Sequence, residues 1–79
     1  MKLHIYSLKG IVYEGEIKSI NLKTMAGDIT VLDNHLPLVS VLKSGSIKIV
    51  DIEDKTLNFP IENGFLEVKP GNLASILVS

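Results

Sequence analysis

The residue types that could do acid/base chemistry are concentrated in one stretch of the chain. Residues 27–45 read GDITVLDNHLPLVSVLKSG and contain Asp28, Asp33 and His35. An imidazole titrates near neutral pH and a carboxylate can orient it, so these side chains could form a proton-transfer pair. A nucleophile would have to come from the nearby serines, which are Ser40, Ser44 and Ser46. No nucleophile elbow or glycine-rich phosphate loop accompanies them, so the pattern favours a turn at 33–34 that His35 anchors to nearby backbone.

Metal and nucleic-acid sites find little support in the composition. His4 and His35 are the only histidines, cysteine is absent, and Glu53 and Asp54 lack the spacing of a calcium loop. The formal net charge is -1 with both signs scattered along the chain, so no basic stripe is available to bind phosphates. We therefore expect no metal, no cofactor and no nucleic-acid partner.

The chain that must position these residues is short and apolar. Its 79 residues are enough for one small domain, which we expect to span 1–79, and 46% of them are hydrophobic. No cysteine is present to staple a thin core, and no apolar run approaches the ~20 residues that cross a bilayer. The N-terminal residues lack the pattern of a signal peptide. The surplus of apolar residues indicates either tight packing or cover by a partner.

Apolar residues recur mostly at every second position, which is typical of an all-β domain. In residues 16–22 this alternation changes phase, which predicts a bulge or a strand buried on both faces. The apolar residues of 47–52 repeat the pattern. Two such strands suggest a sheet folded over into a sandwich. Pro60 lacks an amide hydrogen, so its strand should lie at an edge or contain a bulge. Strands are predicted near 2–8, 11–14, 16–23, 28–32, 37–42, 46–52, 55–62, 64–69 and 72–78.

Three turns have recognisable chemistry. Asn63-Gly64 predicts a tight turn with positive φ, and Pro70-Gly71 predicts the centre of a type II turn before Asn72. Residues 53–55 predict a polar hairpin tip. The apolar run 36–42 is compatible with a buried strand and equally with a surface that faces a protein partner.

Three ordered segments resemble the N-terminal domain of the epsilon subunit of F-type ATP synthase, called delta in mitochondria. VYEGE at 12–16 is similar to the family's hydrophobic-aromatic-x-Gly step into a strand. AGDITVLDNHLPLVSVLKSG at 26–45 resembles its turn, His-x-Pro-Leu and Leu-Lys-x-Gly pattern. NGFLEVKPGNLASILVS at 63–79 resembles its closing strands.

The resemblance implies a flattened two-sheet β-sandwich of about ten short strands that is not an enzyme. It implies a rotor subunit of the central stalk that binds the gamma subunit and the c ring and couples ion-driven rotation to ATP synthesis. It would be peripheral to the cytoplasmic face of the inner (plasma) membrane through the complex, without inserting into the bilayer. The implied c-ring residues are Ala26, Gly27 and Asp28. The implied gamma-facing residues are Ser7, His35, Leu36, Pro37, Leu38 and Ser40.

The chain departs from the family pattern in three places. Asp33-Asn34 stands where many members have Pro-Gly, and Lys23-Thr24-Met25 replaces a loop that usually carries proline, glycine and an acid. The C-terminal helical pair of most members is absent from these residues, so its inhibition of hydrolysis and its ATP binding are not assigned. The alternatives are a generic β-sandwich interaction module of another assembly and a small hydrolase that uses His35.

Overall fold

The computed structural model describes residues 1–79 and consists of strands and turns only. The eight strands are β1 (Lys2–Ser7), β2 (Gly10–Thr24), β3 (Gly27–Leu32), β4 (Leu38–Leu42), β5 (Gly45–Asp51), β6 (Thr56–Ile61), β7 (Gly64–Lys69) and β8 (Leu73–Val78). The all-β prediction is confirmed, although the strands number eight rather than about ten. The predicted strands 11–14 and 16–23 form the single strand β2, because the chain continues straight through Gly15.

Strand β2 joins two layers because its halves pair with different neighbours. Its first half pairs with β1, from Lys2 opposite Glu16 to Ser7 opposite Gly10. Its second half pairs with β5 and β3. We call β6, β5, the second half of β2 and β3 sheet I. Sheet II contains the first half of β2, β1, β8, β7 and β4.

A register shift between Ile17 and Ser19 marks the corner where β2 passes from one layer to the other. The predicted phase slip is therefore confirmed as a bulge, which lets Ile17 and Ile20 both face the core although they lie three positions apart. Pro60 is also where its chemistry predicts, because β6 pairs only with β5 and forms an edge of sheet I.

The core lies between the inner faces of the two sheets. It contains 14 buried side chains, and on most strands these alternate with side chains that are at least partly exposed. Leu57, Phe59 and Ile61 of the edge strand β6 pack against it from one side. The residues of the core are Met1, Leu3, Ile5, Ile17, Ile20, Leu22, Val31, Leu42, Ile47, Ile49, Leu66, Val68, Ala74 and Ile76.

One turn prediction is wrong. Neither Asn63 nor Gly64 has positive φ, and residues 62–63 do not close a hairpin. They connect β6 in sheet I with β7 in sheet II, because β7 pairs with β4 and β8. Gly64 serves a close approach instead: a Cβ there would lie 2.6 Å from the backbone oxygen of Leu77 on β8.

The other two turns agree with their chemistry. Gly71 has φ of 88° and Asn72 has φ of 61°, so the turn between β7 and β8 uses the left-handed region at both positions. At the tip between β5 and β6, Asp54 has φ of 64°, and the carboxylate of Asp51 accepts hydrogen bonds from the amides of Glu53 and Lys55.

Candidate interaction surfaces

The candidate acid/base residues do not share a site. Asp28 lies near the start of β3 and His35 follows its end, so the two are separated by roughly 13 Å of strand at about 3.3 Å per residue. The Asp28 carboxylate lies 3.5 Å from the ammonium of Lys23. The imidazole Nδ1 of His35 lies 2.7 Å from the carbonyl oxygen of Leu36. A carbonyl only accepts, so Nδ1 carries the proton and donates it to this local bond.

Asp33 is engaged by the chain terminus. Its Oδ1 lies 2.6 Å from the Met1 ammonium, which also donates to the carbonyl oxygen of Ile17 at 3.1 Å. The hydrogen bond from this ammonium holds the pKa of Asp33 below its usual range, and the positive charge and the Asn72 amide act in the same direction. Asp33 therefore ties the loop after β3 to the start of β1.

The loop at 33–37 is fixed at its base and exposed at its tip. Asn34 has φ of 61°, its amide donates to the Asn72 side chain at 2.8 Å, and the amide of His35 donates to Leu32 at 3.2 Å. The predicted turn with His35 bonded to nearby backbone is confirmed. His35, Leu36 and Pro37 are all exposed, and 79% of the Leu36 side chain is accessible.

The hairpin between β2 and β3 presents the residues that the resemblance assigns to the c ring. Ala26, at its tip, and Asp28 are exposed, and Gly27 has φ of 122°. The buried hydroxyl of Thr24 donates to the carbonyl oxygen of Gly27 at 2.7 Å and accepts from the amide of Ala26 at 3.1 Å. Met25 donates its amide to Val41 on β4 at 3.0 Å. The tip is therefore braced both internally and against sheet II.

Strand β4 divides the apolar run 36–42 by alternation. Leu38 packs against the core, Leu42 is buried, and Ser40 lies on the same inner face. Val39 and Val41 are exposed on the outer face of sheet II. The run therefore contributes alternate residues to the core and to the exposed surface.

A row of outward apolar side chains crosses sheet II, which the sequence pattern did not single out. Val41 is paired with Phe65, Phe65 with Leu77, and Leu77 with Tyr6. We call Val41, Phe65 and Leu77, with Val39 beside them, the outer row; each is at least 45% exposed. In FLEV at 65–68, Leu66 and Val68 are buried, so Phe65 and Glu67 point outward.

The outer face of sheet I differs sharply from the outer row. Its central cross-strand row is formed by Thr30, Asn21, Lys48 and Asn58, all of them polar. The amide of Asn21 donates to the Thr30 hydroxyl at 3.0 Å, so part of this row is already hydrogen-bonded within the chain. The central row of sheet I is therefore polar and that of sheet II is apolar, although Leu32 of β3 is 57% exposed beside the polar row.

The candidate gamma-facing residues lie at two corners of sheet II. The loop His35–Pro37 precedes β4, whereas Ser7 ends β1, three strands away across β8 and β7. At about 4.8 Å per strand, the lateral separation is roughly 14 Å. The structure thus groups His35, Leu36 and Pro37 and leaves Ser7 diagonally opposite them.

Tyr13 of β2 packs inward. Its ring meets Phe59 edge to face with centroids 5.7 Å apart, and both pack against the core. Burial, together with the nearby Asp51 carboxylate, raises the pKa of the Tyr13 hydroxyl. Tyr13 therefore helps close the sandwich between β2 and β6.

No group of three or more histidine, cysteine, aspartate or glutamate side chains is arranged to hold a metal ion. No helix long and apolar enough to cross a membrane occurs.

Comparison with known proteins identifies the sandwich. A family model described as "ATP synthase, Delta/Epsilon chain, beta-sandwich domain" matches residues 1–79. The ATP synthase epsilon chain of Clostridium kluyveri is 36% identical over 73 residues, which cover 92% of this chain and 55% of that protein. The epsilon chain of Bordetella parapertussis is 32% identical over 73 residues, which cover 92% of this chain and 52% of that protein. The chain thus spans about half the length of these relatives.

Solved structures show the same fold. A chain of the Euglena gracilis mitochondrial ATP synthase, from a structure of its OSCP/F1/c-ring, aligns with a TM-score of 0.90 at 21% identity, covering 96% of this chain and 48% of that one. A chain from the central stalk/c-ring structure of the Tetrahymena thermophila mitochondrial ATP synthase aligns with a TM-score of 0.83 at 18% identity, covering 99% of this chain and 62% of that one. The chain therefore belongs to the family of ATP synthase delta/epsilon chain β-sandwich domains.

Proposed function

We propose that this chain is a non-catalytic rotor component of an F-type ATP synthase. In this role it binds the gamma subunit of the central stalk and contacts the c ring, so that ion-driven rotation of the ring reaches the stalk and supports ATP synthesis. It is held at the cytoplasmic face of the coupling membrane by these protein contacts and does not enter the bilayer.

The chain belongs to the delta/epsilon family, and the observation that carries the proposal is that its two sheets differ in the polarity of their outer faces. A polar row crosses the outer face of sheet I, whereas the central row of sheet II is apolar and accessible, as is Leu36 in the loop beside it. At about 25 cal/mol per Å2, covering a few hundred Å2 of apolar surface favours association by several kcal/mol before the entropic cost of docking. A polypeptide partner that covers sheet II accounts for this surface.

The proposed gamma contacts are Ser7, His35, Leu36 and Pro37, with Leu38 and Ser40 supporting them from β4. Leu36 provides the most accessible apolar side chain among them, and the hydrogen bonds at Asn34 and His35 fix the loop beneath it. Leu38 and Ser40 face the inner side of β4, so they contribute by holding this strand and its loop in place. A fixed loop loses little entropy on docking.

The proposed c-ring contacts are Ala26, Gly27 and Asp28 at the β2–β3 hairpin. A contact that transmits torque must not bend under load, and this tip is hydrogen-bonded both internally and to β4. The close-packed sandwich behind it deforms little. Asp28 supplies a negative charge, partly balanced by Lys23, which can meet a polar or basic loop of the ring.

Binding measurements with purified components test the proposal. Isothermal titration of the chain with the gamma subunit from the same organism should give a stoichiometric complex. Leu36→Ser should weaken this complex about tenfold, because it removes an exposed leucine from the contact. Asp28→Lys should leave gamma binding unchanged and weaken attachment of the gamma-bound chain to the c ring.

The control substitution is Lys48→Ser, which lies on the polar face of sheet I and should change neither interaction. Leu36 and Lys48 are exposed, so Leu36→Ser and Lys48→Ser should unfold at the same temperature as the wild type. Asp28→Lys should unfold at a slightly lower temperature, because it places a second positive charge opposite Lys23. Absence of a gamma complex with the folded wild-type chain would overturn the proposal.

A further inference from the structure

Leu8 is held outward by a stiff turn and has no packing role in the chain. Its side chain is 96% exposed in the two-residue connection between β1 and β2. The Ser7 hydroxyl accepts the amide of Lys9 at 3.2 Å and donates to the carbonyl oxygen of Gly10 at 3.4 Å. Gly10 has φ of 130°, which only glycine adopts readily. The turn therefore presents Leu8 in a defined position.

This leucine is not an isolated surface residue. It forms one wall of a shallow, mainly apolar groove whose other apolar walls are Phe65, Leu77 and Val78. Phe65 and Leu77 belong to the outer row, so the groove continues the apolar surface of sheet II towards the β1–β2 turn. A connected set of accessible apolar side chains marks an interaction surface more strongly than scattered ones.

The placement of the proposed gamma contacts points to the occupant of this groove. Ser7 and Leu36 lie at diagonally opposite corners of sheet II. The shortest path between these two proposed contacts crosses the outer face of sheet II over the outer row and ends at Leu8 beside Ser7. A rigid partner that follows this path covers the groove.

We infer that Leu8 is an anchor residue for the gamma subunit, which buries it together with Phe65 and Leu77. This inference rests on the proposed function and adds a residue that determines affinity. The backbone of the turn is already ordered, so Leu8 loses little conformational freedom when it binds in a pocket of the partner. Most of the free energy gained by burying its side chain therefore contributes to affinity.

Titration of the full chain with the purified gamma subunit tests the inference. Leu8→Ser should weaken binding about 10- to 100-fold, which is the effect expected from losing a fully buried leucine. Leu8→Met should bind within about threefold of wild type, because it preserves apolar volume. The matched control is Ile52→Ser, which removes an aliphatic side chain that is 62% exposed in the β5–β6 turn of sheet I. It should leave affinity unchanged.

The outcomes separate the two proposals. If wild type binds gamma and Leu8→Ser binds equally well, the anchor role is overturned and the rotor role stands. If folded wild type does not bind gamma, both are overturned. A uniform loss in Leu8→Ser and Ile52→Ser would also contradict a specific anchor. Thermal unfolding of each variant should match wild type, because Leu8 and Ile52 are exposed.

Discussion

Adjacent residues on β4 give the sharpest test of which apolar side chains form the core and which form the surface. Leu42 is 1% exposed and Val41 is 50% exposed, although both belong to the same apolar run. Leu42→Ala removes three carbon atoms, worth about 2.4 kcal/mol at ~0.8 kcal/mol per methylene, and leaves a cavity in addition. Leu42 lies beside Gly64, which has no side chain to fill that cavity. The expected loss is therefore in the upper part of the range of about 2–5 kcal/mol.

Val41→Thr preserves the β-branched shape and places a hydroxyl in solvent. Its free energy of unfolding should change by less than about 0.5 kcal/mol. Urea unfolding followed by far-ultraviolet circular dichroism compares the two variants directly. A domain of this size is stabilised by roughly 4–12 kcal/mol, so the loss in Leu42→Ala is easily measured. A one-residue slip in register would exchange the two side chains, so a larger loss for Val41→Thr would refute the assignment of faces.

Three further substitutions probe the devices that hold the loops and strands in place. Asp33→Asn should lower the free energy of unfolding near neutral pH, because it removes the carboxylate that binds the Met1 ammonium. The ammonium lowers the pKa of Asp33, so the difference in stability between wild type and variant should disappear as the pH falls through and below about 4. Equal pH profiles in thermal unfolding would contradict this coupling. Gly64→Ala should cost about 1–3 kcal/mol, because its Cβ would meet the Leu77 oxygen at 2.6 Å, whereas unchanged urea unfolding would show that β8 can shift. Thr24→Val should cost about 1–3 kcal/mol by leaving two turn groups unbonded, and faster hydrogen exchange at the hairpin tip should accompany the loss.

Much of the fold follows from local chemistry. The phase slip at 16–22 located the corner of β2, because a bulge changes which face successive residues present. The missing amide of Pro60 predicted its edge position. The tight turn predicted at Asn63-Gly64 was wrong. The dipeptide is typical of a hairpin, whereas here glycine is required because the backbone of β8 lies close to it. That approach depends on residues distant in sequence, which a local pattern does not encode.

The candidate surfaces were predictable to a smaller extent. Motif resemblance pointed to Asp28 and to the loop at His35, and both prove exposed. The outer row depends on the register of β4, β7 and β8, so it appears only when three separate segments are aligned. Leu8 carried no sequence signal because a single leucine in a turn becomes notable only beside Phe65 and Leu77.

Site-specific crosslinking within the rotor tests the central claim most directly. The chain contains no cysteine, so single substitutions provide unique attachment points for a photoactivated crosslinker. Leu36→Cys and Ala26→Cys place the probe at the two proposed contacts, and Asn58→Cys places it on the polar face of sheet I. Mass spectrometry of the assembled synthase should identify gamma peptides for the first, c-subunit peptides for the second and no consistent partner for the third. Equal crosslinking at all three positions, or no synthase peptide at position 36, would contradict the account.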